Sequence, residues 1–272
     1  MNEVRGDLPL EEKLARLREQ LATLAPLVIA YSGGVDSTFL LAEAHRSLGE
    51  RALGVIADSP SLPRHALREA RSVAARIGAH IEVIATEEFA NPSYTSNPMN
   101  RCYFCKAELF TKLDALARVR GFRAIAYGEN ADDMRQVRPG RQAAAEFAVV
   151  APLRDAGLTK LEIRELSRAL QLPTSDAPAQ PCLSSRIPHG TPVTRDALRM
   201  IEDAENAVRG FGFKVLRVRH LAQPDAAPRA RLQVGADELP KVAACAAAIA
   251  LDLREIGYGD VEFDPAGYRT GG

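Results

Sequence analysis

At 272 residues, 46% of them hydrophobic, the chain is long enough to bury one large core or two modest ones. Lysine plus arginine (35) equals aspartate plus glutamate (35), which excludes a global basic field for nucleic acid. No apolar run is long enough to span a bilayer, and four cysteines are too few for a disulfide scaffold in a chain of this size.

The opening residues "MNEVRGDLPLEEKLARL" are charged and lack the apolar stretch of a signal peptide, so a cytoplasmic protein with no membrane partner is expected. Leucines at 10, 14, 17, 21 and 24 predict a helix over 10–24. Short apolar strands follow at 27–31 (LVIAY), 52–57 (ALGVIA), 81–85 (IEVIA) and 124–127 (AIAY). Helices near 36–48, 64–78, 105–120 and 159–171 separate or follow them. That alternation is the pattern of an α/β fold with a doubly wound parallel sheet. Ligands of such sheets sit beyond the carboxyl ends of the strands. Attention therefore falls on Ser32–Ser37, Asp58–Ser59 and Gly128–Asp133.

The stretch "LPTSDAPAQPCLSSRIPHGTP" (172–192) holds five prolines and reads as a hinge or functional loop. Beyond it come a helix at 194–210, strands at 213–221 and 229–235, a helix at 238–256 and a strand at 260–265. Two adjacent strands between helices predict an antiparallel sheet, hence a small α+β domain. The boundary is placed between residues 185 and 186, giving domains 1–185 and 186–272, the second a candidate for substrate binding and homo-oligomerisation.

In "LVIAYSGGVDSTFLL", Ser32, Gly33 and Gly34 bring backbone amides close to an anion, and the helix that follows adds its partial positive charge. Ser37 supplies a further hydroxyl. No lysine follows the glycines, so Mg²⁺ is the expected charge neutraliser, with Asp36 as a ligand. The longer pattern S-G-G-x-D-S resembles the PP-loop of the ATP pyrophosphatases. The resemblance implies the adenine nucleotide alpha hydrolase-like fold, cleavage of ATP between its α and β phosphates, and an adenine-binding role for Asp58 and Ser59. In "YGENADD", Gly128, Asn130, Asp132 and Asp133 suit either a second nucleotide-binding loop or a plain helix cap. Arg138 and Arg141 suit an anion clamp or a solvated loop.

Cys102 and Cys105 lie three residues apart in "NRCYFCK", and Cys182 lies in the hinge. Cys245, in "AACAAAI", reads as a small core residue. The first three thiols are compatible with a zinc site completed by a histidine such as His189, with redox chemistry, or with an iron–sulfur cluster. Together with "NADDMRQVRPGRQAA", "PLRDAGLTKLEIRELSRAL" and "PCLSSRIPHG", they resemble the LarE family of ATP-dependent sulfur transferases, from about residue 10 to the closing "GYRTGG". The resemblance implies adenylation of the carboxylates of a pyridinium-3,5-dicarboxylate mononucleotide. Their conversion to thiocarboxylates then serves the nickel-pincer cofactor of lactate racemase. It implies a [4Fe–4S] cluster on Cys102, Cys105 and Cys182, fed by sulfide or an upstream sulfur donor, alongside ATP and Mg²⁺. The absence of tryptophan departs from members that sacrifice a cysteine sulfur, although Cys182 stays a candidate donor.

Alternation along "LRVRHL" puts Arg217 and Arg219 on one strand face, and Arg229 and Arg231 share a face of the next. Such a cluster suits a phosphate and two carboxylates; for Arg229 and Arg231 a solvated face of paired charges reads equally well. The family resemblance favours function for Arg186, Arg217 and Arg219, and Ser184 and Ser185 suit substrate binding or orientation of their loop. Glu202 and Glu205, three apart on one helical face, suit either steering of these arginines or a solvent-facing role. Two rival functions are a tRNA thiolase of the PP-loop superfamily and a non-catalytic nucleotide sensor with a structural metal.

Overall fold

The computed structural model describes residues 8–135 and 139–268, so Arg138 and the end of "GYRTGG" lie outside the described residues. Among these, β1 (Leu27–Ala30), β2 (Ala52–Asp58), β3 (Ile81–Ala85) and β4 (Ala124–Tyr127) form a sheet in the order β3-β2-β1-β4. Every pairing in it is parallel, as a doubly wound fold requires. Leu27, Val28 and Ile29 are fully buried, with no alternation, because helices cover both faces of the central strand. On one face, α5 (Arg101–Arg120) and α6 (Pro139–Glu146) bring Phe110, Leu113, Ala143 and Ala144 onto Val28, Ala30 and Val55. The helices α1 (Leu10–Leu24), α2 (Val35–Leu48), α7 (Pro152–Asp155) and α8 (Lys160–Ala169) pack on one another and bury Leu17, Leu21, Phe39, Leu41, Leu153 and Ile163.

The chain runs outward from β1 to β2 and β3 through α2 and α3 (Arg64–Ile77), then crosses back to place β4 on the other side of β1. The strand order therefore reverses between β1 and β4, and a crevice opens at their carboxyl ends. Ser32–Ser37 and Gly128–Asp133 sit there. The prediction differs at α5, which begins at Arg101 and so takes both cysteines into its first turns. Aromatic residues are indifferent helix formers; tertiary contact holds this turn, with the Tyr103 hydroxyl donating to Glu146 Oε2 at 2.7 Å.

A second compact unit contains β5 (Leu216–Gln223), β6 (Ala226–Val234) and β7 (Asp260–Phe263), in that spatial order. The two adjacent strands pair antiparallel, as expected, and a third strand extends the sheet in the other sense. β5 and β6 are antiparallel, but β7 runs parallel to β6 because α10 (Leu239–Ile256) carries the chain back before it pairs. With α9 (Arg195–Gly210), α10 covers the face bearing Val218, Ala230, Leu232 and Val234. The register sets Arg217 opposite Gln233, Arg219 opposite Arg231, and Arg231 opposite Glu262 across the other edge of β6, all on one face.

The two units interleave in sequence. The first takes the described residues through Ser59, then Arg64–Ala90 and Asn100–Gln180; the second takes Pro60–Pro63, Asn91–Met99 and the chain from Pro181. No helix among the described residues is long and apolar enough to cross a membrane.

Buried His220, whose Nδ1 lies 3.2 Å from the Tyr258 hydroxyl, has its pKa lowered from 6.5 by burial. A lowered folded-state value means that the unfolded chain binds the proton more readily. The contribution of His220 is then complete above about pH 6.5 and lost as pH falls through the folded value. Thermal unfolding between pH 7.5 and 5 is expected to show a fall in stability that His220→Asn flattens.

Candidate active site

The turn after β1 forms an open cradle. Gly33 adopts φ +77°, and a Cβ there would stand 2.8 Å from the Ala70 Cβ, so glycine is required on both counts. The Ser37 hydroxyl closes the loop, accepting from Ser32 N at 3.2 Å, lying 3.0 Å from Ser32 Oγ and donating to Gly34 O at 3.1 Å. Gly34 is the N-cap of α2 and provides no side-chain cap, so the first-turn amides of a 14-residue helix have no intrahelical partner. Ser32 and Gly34 are exposed at this end. Behind the cradle, Tyr31 donates to Ala70 O at 3.0 Å, and burial pushes its pKa up to about 12.

Across the strand-order reversal lies the loop after β4. Gly128 approaches so closely that a Cβ would stand 2.7 Å from Ser37 N and 3.0 Å from Asp36 C. Backbone cannot yield as a flexible side chain does. Gly128→Ala is expected to displace the start of α2, at a cost of about 1–3 kcal/mol in stability. The same variant is expected to weaken ATP binding at least tenfold by calorimetry. Beyond it, Asn130 Oδ1 accepts from Asp132 N at 2.9 Å, and Asn130 Nδ2 donates to Asp36 Oδ2 at 3.2 Å. The two loops are thereby joined through Asp36.

A residue that the sequence reading missed enters at this point. Lys160 Nζ lies 2.9 Å and 3.0 Å from the two carboxylate oxygens of Asp36, and Lys160 N donates to Asp132 Oδ2 at 2.8 Å. The expectation that no lysine serves this loop is thus corrected. The cation comes from the start of α8, 124 residues away in sequence. Thr159 orients it as the N-cap of a full capping box with Glu162; "TKLE" is the signal that could have found it. Glu129 was also missed. It is buried and accepts from Tyr127 Oη at 2.7 Å, Arg141 Nε at 2.8 Å and Arg154 Nη1 at 2.8 Å. Burial works to raise its pKa, but those partners prevail and hold it below the usual carboxylate range. Arg141 is thereby fixed rather than solvated.

Asp58 ends β2, paired with Arg64 Nη1 at 2.7 Å, while Arg64 Nη2 donates to Ser59 O at 2.9 Å. Asp58 and Ser59 thus lie beyond a strand end, on the same sheet edge as the cradle. Cys102 and Cys105 stand one turn apart on α5, the first exposed and the second half-buried. Burial pushes the neighbouring Lys106 ammonium down, against the attraction of Cys105 and Cys102. Among the described residues, no group of three or more His, Cys, Asp and Glu side chains could hold a metal ion. Asp36, a carboxylate held by a lysine at 2.9 Å, has the chemistry of a Mg²⁺ ligand. Cys245 is half-buried against the core of the second unit, its thiol on Lys241 O at 3.3 Å.

Within the second unit, Cys182 precedes a 3₁₀ turn, Leu183–Arg186. Asn97, fully buried, donates to Pro188 O and Thr191 O at 2.8 Å each, and Tyr94 and Ser184 hydroxyls meet at 2.8 Å. The loop carrying Cys182 is thus clamped by α4 (Pro92–Thr95) and the residues after it, a segment that the sequence reading left without a role. Arg186 is 5% exposed and bonds Glu205 through Nε at 2.7 Å and Nη2 at 3.1 Å. Its Nη1 holds Pro181 O at 2.7 Å, Cys182 O at 3.1 Å and Ser185 Oγ at 3.1 Å. These bonds make Arg186 a positioning residue for its own loop. Glu205 holds it from α9 and is buried rather than solvent-facing.

Arg219 binds Ser185 O at 2.8 Å and Gln233 Oε1 at 2.9 Å; Arg217 bonds the Tyr268 hydroxyl and lies with its guanidinium 4.1 Å over that ring. Burial lowers the pKa of both, and the charge of Arg186 lowers it further, as expected where guanidinium groups crowd and want an anion. Arg229 and Arg231 differ. Both are half-exposed and lie 3.9 Å and 3.0 Å from Glu262, a face of paired charges.

An open parallel sheet, an uncapped Ser-Gly-Gly turn at its reversal point and a carboxylate beside that turn define an ATP-using enzyme with the adenine nucleotide alpha hydrolase-like, PP-loop fold. No protein-family model matches the chain. It is 46% identical to the Synechocystis sp. protein slr1717 over 77% of this chain and 78% of that one. The chain belongs to the family of that protein. It is also 28% identical to the pyridinium-3,5-bisthiocarboxylic acid mononucleotide synthase of Lactiplantibacillus plantarum, over 96% of this chain and 94% of the relative. A shorter likeness, 27% identity over 54% of this chain and 40% of the relative, is to the argininosuccinate synthase of Methanocaldococcus jannaschii.

Proposed function

We propose that the protein is an ATP-dependent sulfur transferase acting on the carboxylates of a pyridinium-3,5-dicarboxylate mononucleotide. The observation that carries this reading is the end-to-end likeness to the L. plantarum synthase, on a chain whose first unit has a PP-loop cradle. A carboxylate oxygen of the substrate attacks the α-phosphorus of ATP, and pyrophosphate leaves with the bond's electron pair. Ser32, Gly33, Gly34 and Ser37 bind the departing group, Asp36 would hold a Mg²⁺ ion that offsets its charge, and Asp58, Ser59, Gly128 and Asp132 border the nucleotide. In the second unit, Arg217 and Arg219 take the substrate's anionic groups, with Arg229 and Arg231 extending that face.

Sulfur then displaces AMP from the acyl carbon. In the finer reading Cys102, Cys105 and Cys182 carry a [4Fe–4S] cluster, which when bound would offer an open iron to sulfide. That reading rests on the three thiols in the sequence and the family resemblance. A cytoplasmic homo-oligomer supplied by sulfide or an upstream donor completes the proposal.

Pyrophosphate release tests the reading. Release that depends on the pyridinium dicarboxylate mononucleotide is expected, and tRNA is not expected to stimulate it. Nucleotide binding without release would leave only a sensor. Iron and acid-labile sulfide in anaerobically purified protein, lost in Cys102→Ala, test the cluster; a colourless zinc protein would reject it.

A further inference from the structure

We propose that Gln233 is a positioning residue for the substrate: its side-chain amide, turned by Asp264, fixes Arg219 while leaving that guanidinium's charge to the substrate's anionic groups. The inference rests on the reading of Arg219 given above and adds two residues to it. Alternation puts Arg229, Arg231 and Gln233 of β6 on the face that carries Arg217 and Arg219 of β5. Directly opposite Arg219 stands Arg231, a like charge. Arg231 is drawn across to Glu262 on β7, at 3.0 Å. Arg219 reaches instead for its diagonal neighbour, donating from Nε to Gln233 Oε1 at 2.9 Å. Two guanidiniums that would crowd each other are thus parted, one by a carboxylate and the other by an uncharged carbonyl.

The direction of the Gln233 amide follows from its other partner. Gln233 Nε2 donates to Asp264 Oδ2 at 2.8 Å. An ionised carboxylate only accepts and a guanidinium only donates, so a single orientation of the amide satisfies both. Turned the other way, it would set its N–H groups against Arg219 and its oxygen against Asp264. Asp264 is itself anchored, its Oδ1 accepting from Ala266 N at 3.0 Å and its own amide donating to Leu232 O at 2.9 Å. Arg219 Nη1 carries the chain on to Ser185 O at 2.8 Å, in the turn that follows Cys182. Held through Nε and Nη1 by two neutral acceptors, the guanidinium has its plane fixed. A glutamate at position 233 would make the same bond and cancel the charge, as Glu262 does for Arg231. The amide keeps the bond and holds the carboxylate of Asp264 one side chain away from the arginine.

The test exchanges the two side-chain groups. In Q233E/D264N the carboxylate and the amide change places, so the bonds to Arg219 and Ala266 and the net charge are kept. Only the negative charge moves, onto Arg219. The variant is therefore expected to unfold at the wild-type midpoint. Its KM for the pyridinium dicarboxylate mononucleotide, read by pyrophosphate release, is expected to rise roughly 10–100-fold, as for loss of a charge-assisted bond to substrate. The effect is expected in that KM rather than in kcat, with the KM for ATP unchanged. Q233M removes the acceptor and leaves the charge, so it should raise the same KM by less, about 3–10-fold. A purely structural role would shift the unfolding midpoint and both KM values together. A wild-type mononucleotide KM in either variant overturns the assignment. Wild type that releases no pyrophosphate with the mononucleotide overturns instead the sulfur-transferase reading on which the assignment stands.

Discussion

Arg186→Ala is expected to destabilise the second unit by about 3–5 kcal/mol, lowering the unfolding midpoint by roughly 10 °C. The basis is the carboxylate left behind. Glu205 is fully buried, and without Arg186 it would keep, among the described residues, Arg209 at 3.2 Å and the Val218 amide at 3.3 Å. A buried charge stripped of its bidentate partner costs far more than the pair contributes when intact. The companion variant separates stability from positioning. Arg186→Met with Glu205→Leu removes both charges and is expected to recover most of the midpoint. It does not restore the bonds to Pro181 O and Cys182 O. Sulfur transfer should therefore stay low in the double variant while thermal stability returns; recovery of both would show that Arg186 contributes nothing beyond folding.

Cys182→Ser is expected to lower thiocarboxylate formation by at least ~10³-fold while pyrophosphate release persists. A hydroxyl neither ligates iron as a thiolate does nor carries sulfur, so the variant fails whether Cys182 holds a cluster or donates its own atom. The cradle lies in the other unit and contains none of the cysteines, so ATP cleavage is expected to remain. Product assays and the pyrophosphate assay on one preparation check this; parallel loss of both activities would place Cys182 in adenylation instead. Intact mass after turnover distinguishes the two sulfur sources. A donor cysteine leaves dehydroalanine, whereas a relay leaves the chain unaltered.

Much of the first unit was legible because its signals are local. A fully apolar strand followed by Ser-Gly-Gly and an amphipathic helix states its own geometry, and β1 to β4 appear within a residue or so of where the apolar runs place them. The reversal of strand order then assembles Ser32–Ser37 and Gly128–Asp133 without further instruction. Pairings over long separations were not legible. Lys160 reaches Asp36 across 124 positions, and Asn97 reaches Thr191 across 94. Neither residue belongs to a motif that names its partner. The parallel placement of β7 likewise depends on which edge of β6 is open after α10, and no periodicity records that. Arg229 and Arg231 were readable only as a shared face, because the carboxylate of Glu262 opposite them arrives from a third strand.

The interleaving of the two units sets a limit on how this protein can be divided. Pro60–Pro63 and Asn91–Met99 leave the first unit's sequence to complete the second, and Leu183 N and Val193 N bond to Ser61 O and Thr95 O. A fragment starting at Pro181 would be born without those acceptors and without Asn97 to secure its cysteine loop. Expression of either half alone should yield insoluble or protease-sensitive material. By the same token, no single cut at the hinge leaves either unit with all of its own residues.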